Sequence, residues 1–372
     1  TLPCLSFSNN YTWSVLNPTL ATTSSLSENT DISNNNFFNL DAGSAILIEQ
    51  NTGQILYEHN IHERLHPASV TKIMSLLLIM EALDSGKITL DTQIPCSSNA
   101  ANMGGSQIWL DTTEKLTVND MLKAIAVVSS NDCVVAMVEY IGGTEENFVQ
   151  MMNARAKELG MNDTTFKNCH GLDEDEHLTS AYDIALMSRE LLMNHPAITN
   201  YSTIWTDTLR NGKSALSNTN KLLRQYQGAT GLKTGSTSKA GFCLSATAER
   251  NHISLIAVVM ACQSAKERVK DCASLLDHGF SLCKIYTDKQ PPALSSVSVH
   301  NGTKEFISCK YEKNFSYVFT SEINQNNIQK KVVFQKNLSA PIKKNQVIGR
   351  LEYSYNNKKI GTVSILASET VG

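Results

Sequence analysis

Two residues whose side chains could cleave an acyl bond, Ser69 and Lys72, lie three positions apart in the first quarter of the sequence. Three positions apart at a helix start, the two side chains would fall on one face. A serine hydroxyl becomes a strong nucleophile when a base removes its proton, and a lysine desolvated by apolar neighbours has a pKa low enough to be that base. The helix N-terminus also offers backbone N–H groups to a developing oxyanion. The pair predicts acyl transfer through a serine ester.

Two further motifs follow the Ser-x-x-Lys pair, which by itself arises by chance in many chains. They are Ser129-Ser130-Asn131 and Lys233-Thr234-Gly235-Ser236, in this order. Ser-x-x-Lys, Ser-Asp-Asn and Lys-Thr-Gly together are the signature of class A β-lactamases and penicillin-binding proteins. Here Ser130 stands where that signature has Asp. Three ordered matches predict one assembled site.

The elements that must position these motifs are mostly helices. Residues 73–83 are apolar on nearly every face and are followed by Gly86, which is typical of a helix buried at the centre of a domain. Thr117 and Asp120 resemble a capping box for a helix that ends near Ser129. Further helices are predicted over about 144–160 and 180–194. The middle of the chain is therefore expected to be largely helical.

Strand patterns flank this helical region on both sides. Residues 45–48 and 55–57 form a predicted hairpin around Asn51-Thr52-Gly53, and residues 242–248 and 253–260 form another, before an amphipathic helix over 264–280. Strands at both ends that enclose helices predict an α/β fold built on one mixed antiparallel sheet. After Pro291-Pro292, short β-rich runs and turns predict a small all-β C-terminal domain.

Composition suggests three parts. Residues 1–42 are rich in Ser, Thr and Asn without periodicity, which predicts a flexible leader or linker. Residues 43–288 are the expected catalytic domain and residues 289–372 the β-rich domain. The last part carries roughly two basic residues for each acidic one, a mild bias toward anionic surfaces.

Charge, hydropathy and cysteine content exclude several classes. A net charge of -3 gives no global attraction to nucleic acid, so no such partner is expected. The longest apolar run is far too short for a membrane span. The nine cysteines are odd in number and include no C-x-x-C pair, so we expect free thiols rather than a disulfide or metal framework. No cofactor is expected.

Together the motifs resemble the low-molecular-mass penicillin-binding proteins, the serine-type D-Ala-D-Ala carboxypeptidases, and most closely those of Gram-positive, spore-forming bacteria. The resemblance covers about residues 43–370. Besides the three motifs it rests on Pro67-Ala68, Gly104-Gly105-Ser106-Gln107-Ile108, His170-Gly171-Leu172-Asp173, Ala181-Tyr182-Asp183, Asn220-Lys221-Leu222-Leu223 and Ala240-Gly241-Phe242.

The resemblance implies a role for each motif residue. Ser69 would be the acylated nucleophile, Lys72 the general base and Ser129 the proton shuttle toward the leaving group. Asn131 would bind the substrate amide, and Lys233 and Thr234, within the Lys233-Thr234-Gly235 motif, the terminal carboxylate. The backbone N–H groups of Ser69 and Ser236 would form the oxyanion hole.

The resemblance further implies removal of the terminal D-alanine from peptidoglycan pentapeptides and inhibition by β-lactams. It places the protein outside the cytoplasm, on the outer face of the cytoplasmic membrane. Members often carry a C-terminal amphipathic anchor. No such helix precedes Gly372, so peripheral membrane association stays open.

Two decoys compete with this interpretation. His62-Glu63-Arg64-Leu65-His66 matches the H-E-x-x-H zinc signature, which needs both histidines on one helix face. Pro67 directly follows, and the residue before a proline is pushed out of the helical region, so we expect a loop and no metal. Glu158 and Asn162 resemble the deacylating loop of class A β-lactamases, but Glu158 falls in the last turn of a predicted helix closed by Gly160.

Three functions remain to be separated: a D,D-carboxypeptidase, which we favour, a β-lactamase, and a non-catalytic wall-binding protein with the same fold. The rate of penicillin turnover separates the first two, and release of D-alanine separates both enzymes from the third. His170 and His177 could line the cleft, but we expect them to pack.

Overall fold

The helices and strands of the protein are seen in a computed structural model, which describes residues 39–372. The helices are α1 Lys72–Asp84, α2 Ser98–Ala101, α3 Val118–Val128, α4 Asn131–Gly142, α5 Glu145–Glu158, α6 Ala181–Asn194, α7 Thr199–Ser202, α8 Leu222–Gln225 and α9 Ala265–Leu282. The strands are β1 Ser44–Glu49, β2 Ile55–His59, β3 Gln93–Pro95, β4 Lys115–Thr117, β5 Thr206–Leu209, β6 Ser214–Ser217, β7 Ala229–Thr237, β8 Gly241–Arg250, β9 Ile253–Cys262, β10 Lys284–Thr287, β11 Val297–Ser298, β12 Phe306–Ile307, β13 Cys309–Tyr311, β14 Ser316–Phe319, β15 Ile328–Phe334, β16 Val347–Tyr355 and β17 Lys358–Ala367. The predicted leader lies almost wholly outside the described residues.

A five-stranded antiparallel sheet in the order β2-β1-β9-β8-β7 forms the centre of the catalytic half. Alternate residues of β1 face opposite sides, as a pleated strand requires. Ile46 and Ile48 pack in the large core shared with the helices, whereas Ala45 and Leu47 pack in a second core with α9. The sheet is thus covered on both faces, and β7 is one of its edges. Both hairpins predicted from the sequence are confirmed.

Helix α1 is the buried helix that the sequence predicts, with every residue from Lys72 to Met80 buried. The predicted start of α3 is also confirmed, because the Thr117 Oγ1 accepts a hydrogen bond from the backbone N–H of Asp120. The N-caps of α5 and α6 are Thr144 and Ser180, as expected. Helix α4, which begins at Asn131 of the second motif, was not predicted.

The C-terminal part is a small β structure, as predicted. Its largest sheet has the order β13-β17-β16-β15, and β10 pairs with β14. Tyr286 of β10 already packs in the same core as Tyr353 of β16. The boundary proposed at 288/289 stays a prediction. Within residues 39–372, no helix is long and apolar enough to cross a membrane, and the eight cysteines there are all free.

Candidate active site

Ser69 and Lys72 meet at the junction of a 3-10 turn, Ala68–Thr71, and α1. The Lys72 side chain is completely buried. Its Nζ lies 3.0 Å from Ser69 Oγ, 2.6 Å from Asn131 Oδ1 and 2.8 Å from the carbonyl oxygen of His170. The first motif and the second therefore converge on one amine.

Burial lowers the pKa of Lys72 to about 7, although nearby Cys169 and Asp132 act in the opposite direction. A neutral amine has two N–H donors and one lone pair. Asn131 Oδ1 and the His170 carbonyl accept hydrogen bonds from the two donors. The lone pair is then left for the remaining contact, the Ser69 hydroxyl. This arrangement suits a base that removes the serine proton.

Ser129 ends α3 in the left-handed conformation, with φ 62° and ψ 36°. Its Oγ is buried and has no hydrogen-bond partner among the described residues. Backbone strain and an unpaired buried hydroxyl are both unfavourable, and they persist most often at functional sites. The Ser129 hydroxyl is available to a reacting group.

The next two residues anchor the second motif. Ser130 caps α4, and its Oγ donates to Asp132 Oδ1. The Asn131 Nδ2 donates to the Gly104 carbonyl at 2.7 Å, and its backbone N–H donates to Ser106. Asn131 is thus held between Lys72 and the loop at 104–106.

The third motif lies on β7, directly against the turn that carries Ser69. A Cβ atom added to Gly235 would lie 2.9 Å from the backbone nitrogen of Ser69 and 2.8 Å from the Pro67 carbonyl oxygen. Only glycine allows this approach. The same contact places the backbone of β7 around Gly235 beside the nucleophile.

Lys233 and Thr234 precede this contact and are both buried. The Lys233 Nζ donates to the Thr234 carbonyl at 3.0 Å, and the Thr234 Oγ1 lies 2.7 Å from Thr219 Oγ1. Burial, together with the charges of Lys72 and Arg268, holds the pKa of Lys233 well below its usual value. A bound carboxylate would favour the charged form of Lys233.

Comparison with known proteins agrees with this geometry. Residues 29–264 match the family described as D-alanyl-D-alanine carboxypeptidase, and residues 280–372 match the penicillin-binding protein 5 C-terminal domain. The D-alanyl-D-alanine carboxypeptidase DacF of Bacillus subtilis is 42% identical over 333 residues, which is 88% of this chain and 85% of the relative. The chain belongs to the D-alanyl-D-alanine carboxypeptidase family.

Solved structures place this family member among the penicillin-binding proteins. PBP3 of Streptococcus pneumoniae, a peptidoglycan synthesis regulatory factor, has a TM-score of 0.76 and 26% identity, covering 90% of this chain and 100% of the other. Penicillin-binding protein D2 of Listeria monocytogenes in its ampicillin-bound form has a TM-score of 0.60 and 32% identity, covering 65% and 98%. The predicted family and the predicted fold class are confirmed.

The decoy residues have structural explanations in this carboxypeptidase family member. The stretch from His62 to His66 is not helical, and Leu65 bridges to Thr179, so the expected loop is present. The two histidines share no helix face. Glu158 is the last residue of α5, and its carboxylate pairs with Arg155 of the same helix.

Both histidines near the cleft are buried and hydrogen-bonded. Burial lowers the pKa of His170 to about 3 and that of His177 to about 4, so both rings are neutral at pH 7. The His177 Nδ1 accepts from the Lys167 N–H, and its Nε2 therefore carries the proton and donates to Thr71 Oγ1 at 2.8 Å. This agrees with the expected packing role for His177. His170 contributes its backbone carbonyl to Lys72.

Three features of the site were missed by our sequence interpretation. The Thr219 hydroxyl is hydrogen-bonded to that of Thr234, and Thr219 lies in a loop that has no motif of its own. Gly171 was noted only as part of the resemblance, yet a Cβ there would lie 1.9 Å from the Ala68 carbonyl oxygen. Arg268 donates to the carbonyl of Gly235 from α9. A glycine with φ +95° leaves no local pattern that would separate it from an ordinary turn.

Proposed function

We propose that the protein removes the terminal D-alanine from peptidoglycan pentapeptides through an acyl-enzyme on Ser69. Neutral Lys72 takes the Ser69 proton as the hydroxyl attacks the carbonyl between the two D-alanines. The Ser129 hydroxyl passes a proton to the departing amine, and water then resolves the ester. The observation that supports this most is the Lys72 amine, whose donors are both occupied and whose lone pair is left for Ser69.

The remaining motif residues bind the substrate in this proposal. Lys233 and the Thr234 hydroxyl hold the terminal carboxylate, and Asn131 contacts the substrate amide. The N–H groups of Ser69 and Ser236 receive the oxyanion, which is supported by the close approach of Gly235 to Ser69. Because a penicillin carries a reactive amide in its β-lactam ring and a carboxylate on the adjoining ring, it would acylate the same serine. The ampicillin-bound Listeria relative supports this.

The test is release of D-alanine from a D-Ala-D-Ala peptide. Ser69→Ala should abolish release and covalent labelling by a fluorescent penicillin. Ser85→Ala, at the exposed far end of α1, is the matched control and should keep both. An unchanged rate in Ser69→Ala would refute the assignment. Fast penicillin turnover without D-alanine release would indicate a β-lactamase, and peptide binding without any turnover a wall-binding protein.

We also propose that the protein works outside the cytoplasm, in cell-wall formation, cell shape and spore formation. In this proposal its β-rich part binds to an anionic membrane surface. Residues that pair across β13, β17, β16 and β15 share one face of the sheet, here called the outer face. Its exposed basic residues are Lys310, Lys331, Arg350 and Lys359. Glu352 is the acidic residue of this face, and Arg350 donates to it. A positive surface of this kind attracts anionic lipid headgroups.

Vesicle sedimentation tests this association. Binding to vesicles with phosphatidylglycerol should exceed binding to neutral phosphatidylcholine vesicles and should weaken with salt, because the attraction is screened. Lys331→Gln with Lys359→Gln should reduce binding. Lys266→Gln with Lys270→Gln, exposed on α9, removes the same charge elsewhere and should not. Equal loss in both pairs would contradict a specific face.

A further inference from the structure

Arg268 in the first turns of α9 is a buried cation behind the active-site strand. Its side chain is 7% exposed. The Nη1 donates to the carbonyl oxygen of Gly235 at 3.0 Å and to that of Cys243 at 3.4 Å. The guanidinium also lies 5.5 Å from the ring centroid of Phe242. Its strongest contact is therefore with the strand that carries the third motif.

Among the described residues, the charge of Arg268 has no partner of opposite sign. No carboxylate in residues 39–372 forms an ion pair with it, and its Nε is buried without an acceptor. Burial raises the pKa of the thiols of Cys243, Cys262 and Cys272, so these neighbours are neutral. Burying an uncompensated cation is costly. A purely structural side chain would fill the space without this cost, which calls for another reason to place a charge here.

The peptide group that joins Gly235 to Ser236 supplies such a reason. In a trans peptide the C=O and the N–H point in opposite directions. The oxygen of this unit accepts from Arg268 on the inner side of β7. Its N–H, which belongs to Ser236, is then directed to the opposite side. That side is the free edge of β7, next to Ser69.

We propose that Arg268 is a positioning residue for the oxyanion hole and acts through the Gly235–Ser236 peptide. A cation at the peptide oxygen polarises the group and makes its N–H a stronger donor, as in other hydrogen-bond chains. The same bond fixes the direction of that N–H. Since the negative charge on the substrate oxygen develops in the transition state, the effect appears in the rate rather than in substrate binding. This inference rests on the proposed function, in which Ser236 receives the oxyanion.

The experiment compares Arg268→Gln and Arg268→Lys with Lys270→Gln. Lys270 lies two residues further along α9, is exposed and contacts Glu267 instead of β7, so it controls for charge alone. We expect Arg268→Gln to lower kcat and penicillin acylation about 10-fold, less than the loss of a whole oxyanion donor, with KM changed by less than about twofold. Arg268→Lys should recover part of the rate, and Lys270→Gln should match the parent protein.

Infrared spectroscopy of the penicillin acyl-enzyme gives a readout that packing alone does not move. A weaker donor polarises the ester carbonyl less, so its stretching frequency should rise in Arg268→Gln. Equal losses in kcat and affinity would place Arg268 among the carboxylate-binding residues, and an unchanged frequency would also overturn the inference. If neither Arg268 variant folds, the role of Arg268 is structural and the inference fails. If the parent protein takes no penicillin on Ser69, the proposed function itself fails.

Discussion

At the scale of single residues, Lys72 determines the pH dependence of the proposed reaction. Burial holds its pKa near 7, and only the neutral amine can accept the Ser69 proton. Acylation by a chromogenic penicillin should therefore rise with pH, reach half its maximum at about pH 7 and then level off. Stopped-flow rates between pH 5 and 9 measure this. A profile that is flat across this range would contradict the base assignment.

Lys72→Arg separates the charge of this residue from its basicity. Arginine keeps the positive charge but does not deprotonate in proteins. We expect acylation to fall by at least about 10²-fold, within the range attributed to general base catalysis, at every pH from 5 to 9. Activity close to that of the parent protein would mean that another group accepts the proton.

Gly171 tests how closely the loop before Asp173 must approach the nucleophile. A Cβ at this position would lie 1.9 Å from the Ala68 carbonyl oxygen, where backbone would have to move. Displacement of reacting groups by about 1 Å can cost 10²-fold in rate, so Gly171→Ala should lose acylation on this scale. Gly86→Ala is the control, because Gly86 also has positive φ but has open space around it. Gly86→Ala should show only the effect of backbone strain, which is a lower free energy of unfolding with a normal acylation rate.

At the scale of elements, capping residues and hydrophobic patterns predicted helices α1, α3, α5, α6 and α9 and the four strands of the two hairpins, but not β7. Thr117, Thr144 and Ser180 each satisfy a backbone N–H at the expected helix start. These signals lie within a few neighbouring residues, so they can be recognised in a single sequence. Helix α4 was missed because only two residues separate it from the end of α3. The chain changes direction sharply there, at Ser129 in its left-handed conformation. The contact of Gly171 with Ala68 is set by tertiary packing, which no local pattern records.

Asp173 joins two elements that face each other across the site. Its Oδ1 accepts from the Thr237 hydroxyl at 2.5 Å, and its Oδ2 accepts from the Lys239 N–H at 3.3 Å. The loop that supplies the His170 carbonyl is thereby tied to the end of β7. Asp173→Ala should release this tie and lower kcat/KM for peptide about 10-fold, a modest loss for disturbed positioning.

Asp175→Ala is the matched control for that prediction. Asp175 lies in the same loop and also pairs with Lys239, but its side chain is 95% exposed, and such pairs contribute little. Thermal unfolding of both variants should stay close to that of the parent protein. Equal kinetic losses in the two variants would show that loop charge matters and the tie to Thr237 does not.

At the scale of the whole molecule, the ordered motifs predicted the family. The strand patterns at both ends of the catalytic half and after Pro291-Pro292 predicted the α/β fold and its β-rich C-terminal part. The site is built from α1, the α3–α4 junction, the 168–173 loop and β7, all within the expected catalytic half. No described contact of these motif residues reaches the C-terminal strands. Acyl transfer is therefore expected to be independent of how well the β-rich part is folded.

Asp288 gives the means to test this independence. Its two carboxylate oxygens accept from Lys330 Nζ and from the buried Tyr353 hydroxyl, each at 2.7 Å. Burial alone would raise the pKa of Asp288, but these hydrogen bonds hold it below its ordinary value. The stabilisation that ionised Asp288 contributes to the folded protein is fully present above the unfolded-state pKa of its carboxyl group. It is lost as pH falls through the folded-state pKa. Asp288→Ala leaves the buried Tyr353 hydroxyl without its acceptor and leaves Lys330 with the Gln290 carbonyl but no carboxylate, and should destabilise the β-rich part by about 2–4 kcal/mol.

Limited proteolysis and penicillin labelling together measure the outcome. Cleavage in Asp288→Ala should increase within residues 289–372, while labelling of Ser69 should keep its rate. Lys313→Ala, a change at an exposed position in the same part, should leave proteolysis unchanged. Loss of labelling in step with loss of the β-rich part would mean that the two parts fold as one cooperative unit. Because none of the described contacts of the motif residues crosses between the parts, we expect the catalytic half to keep its activity when the β-rich part is loosened.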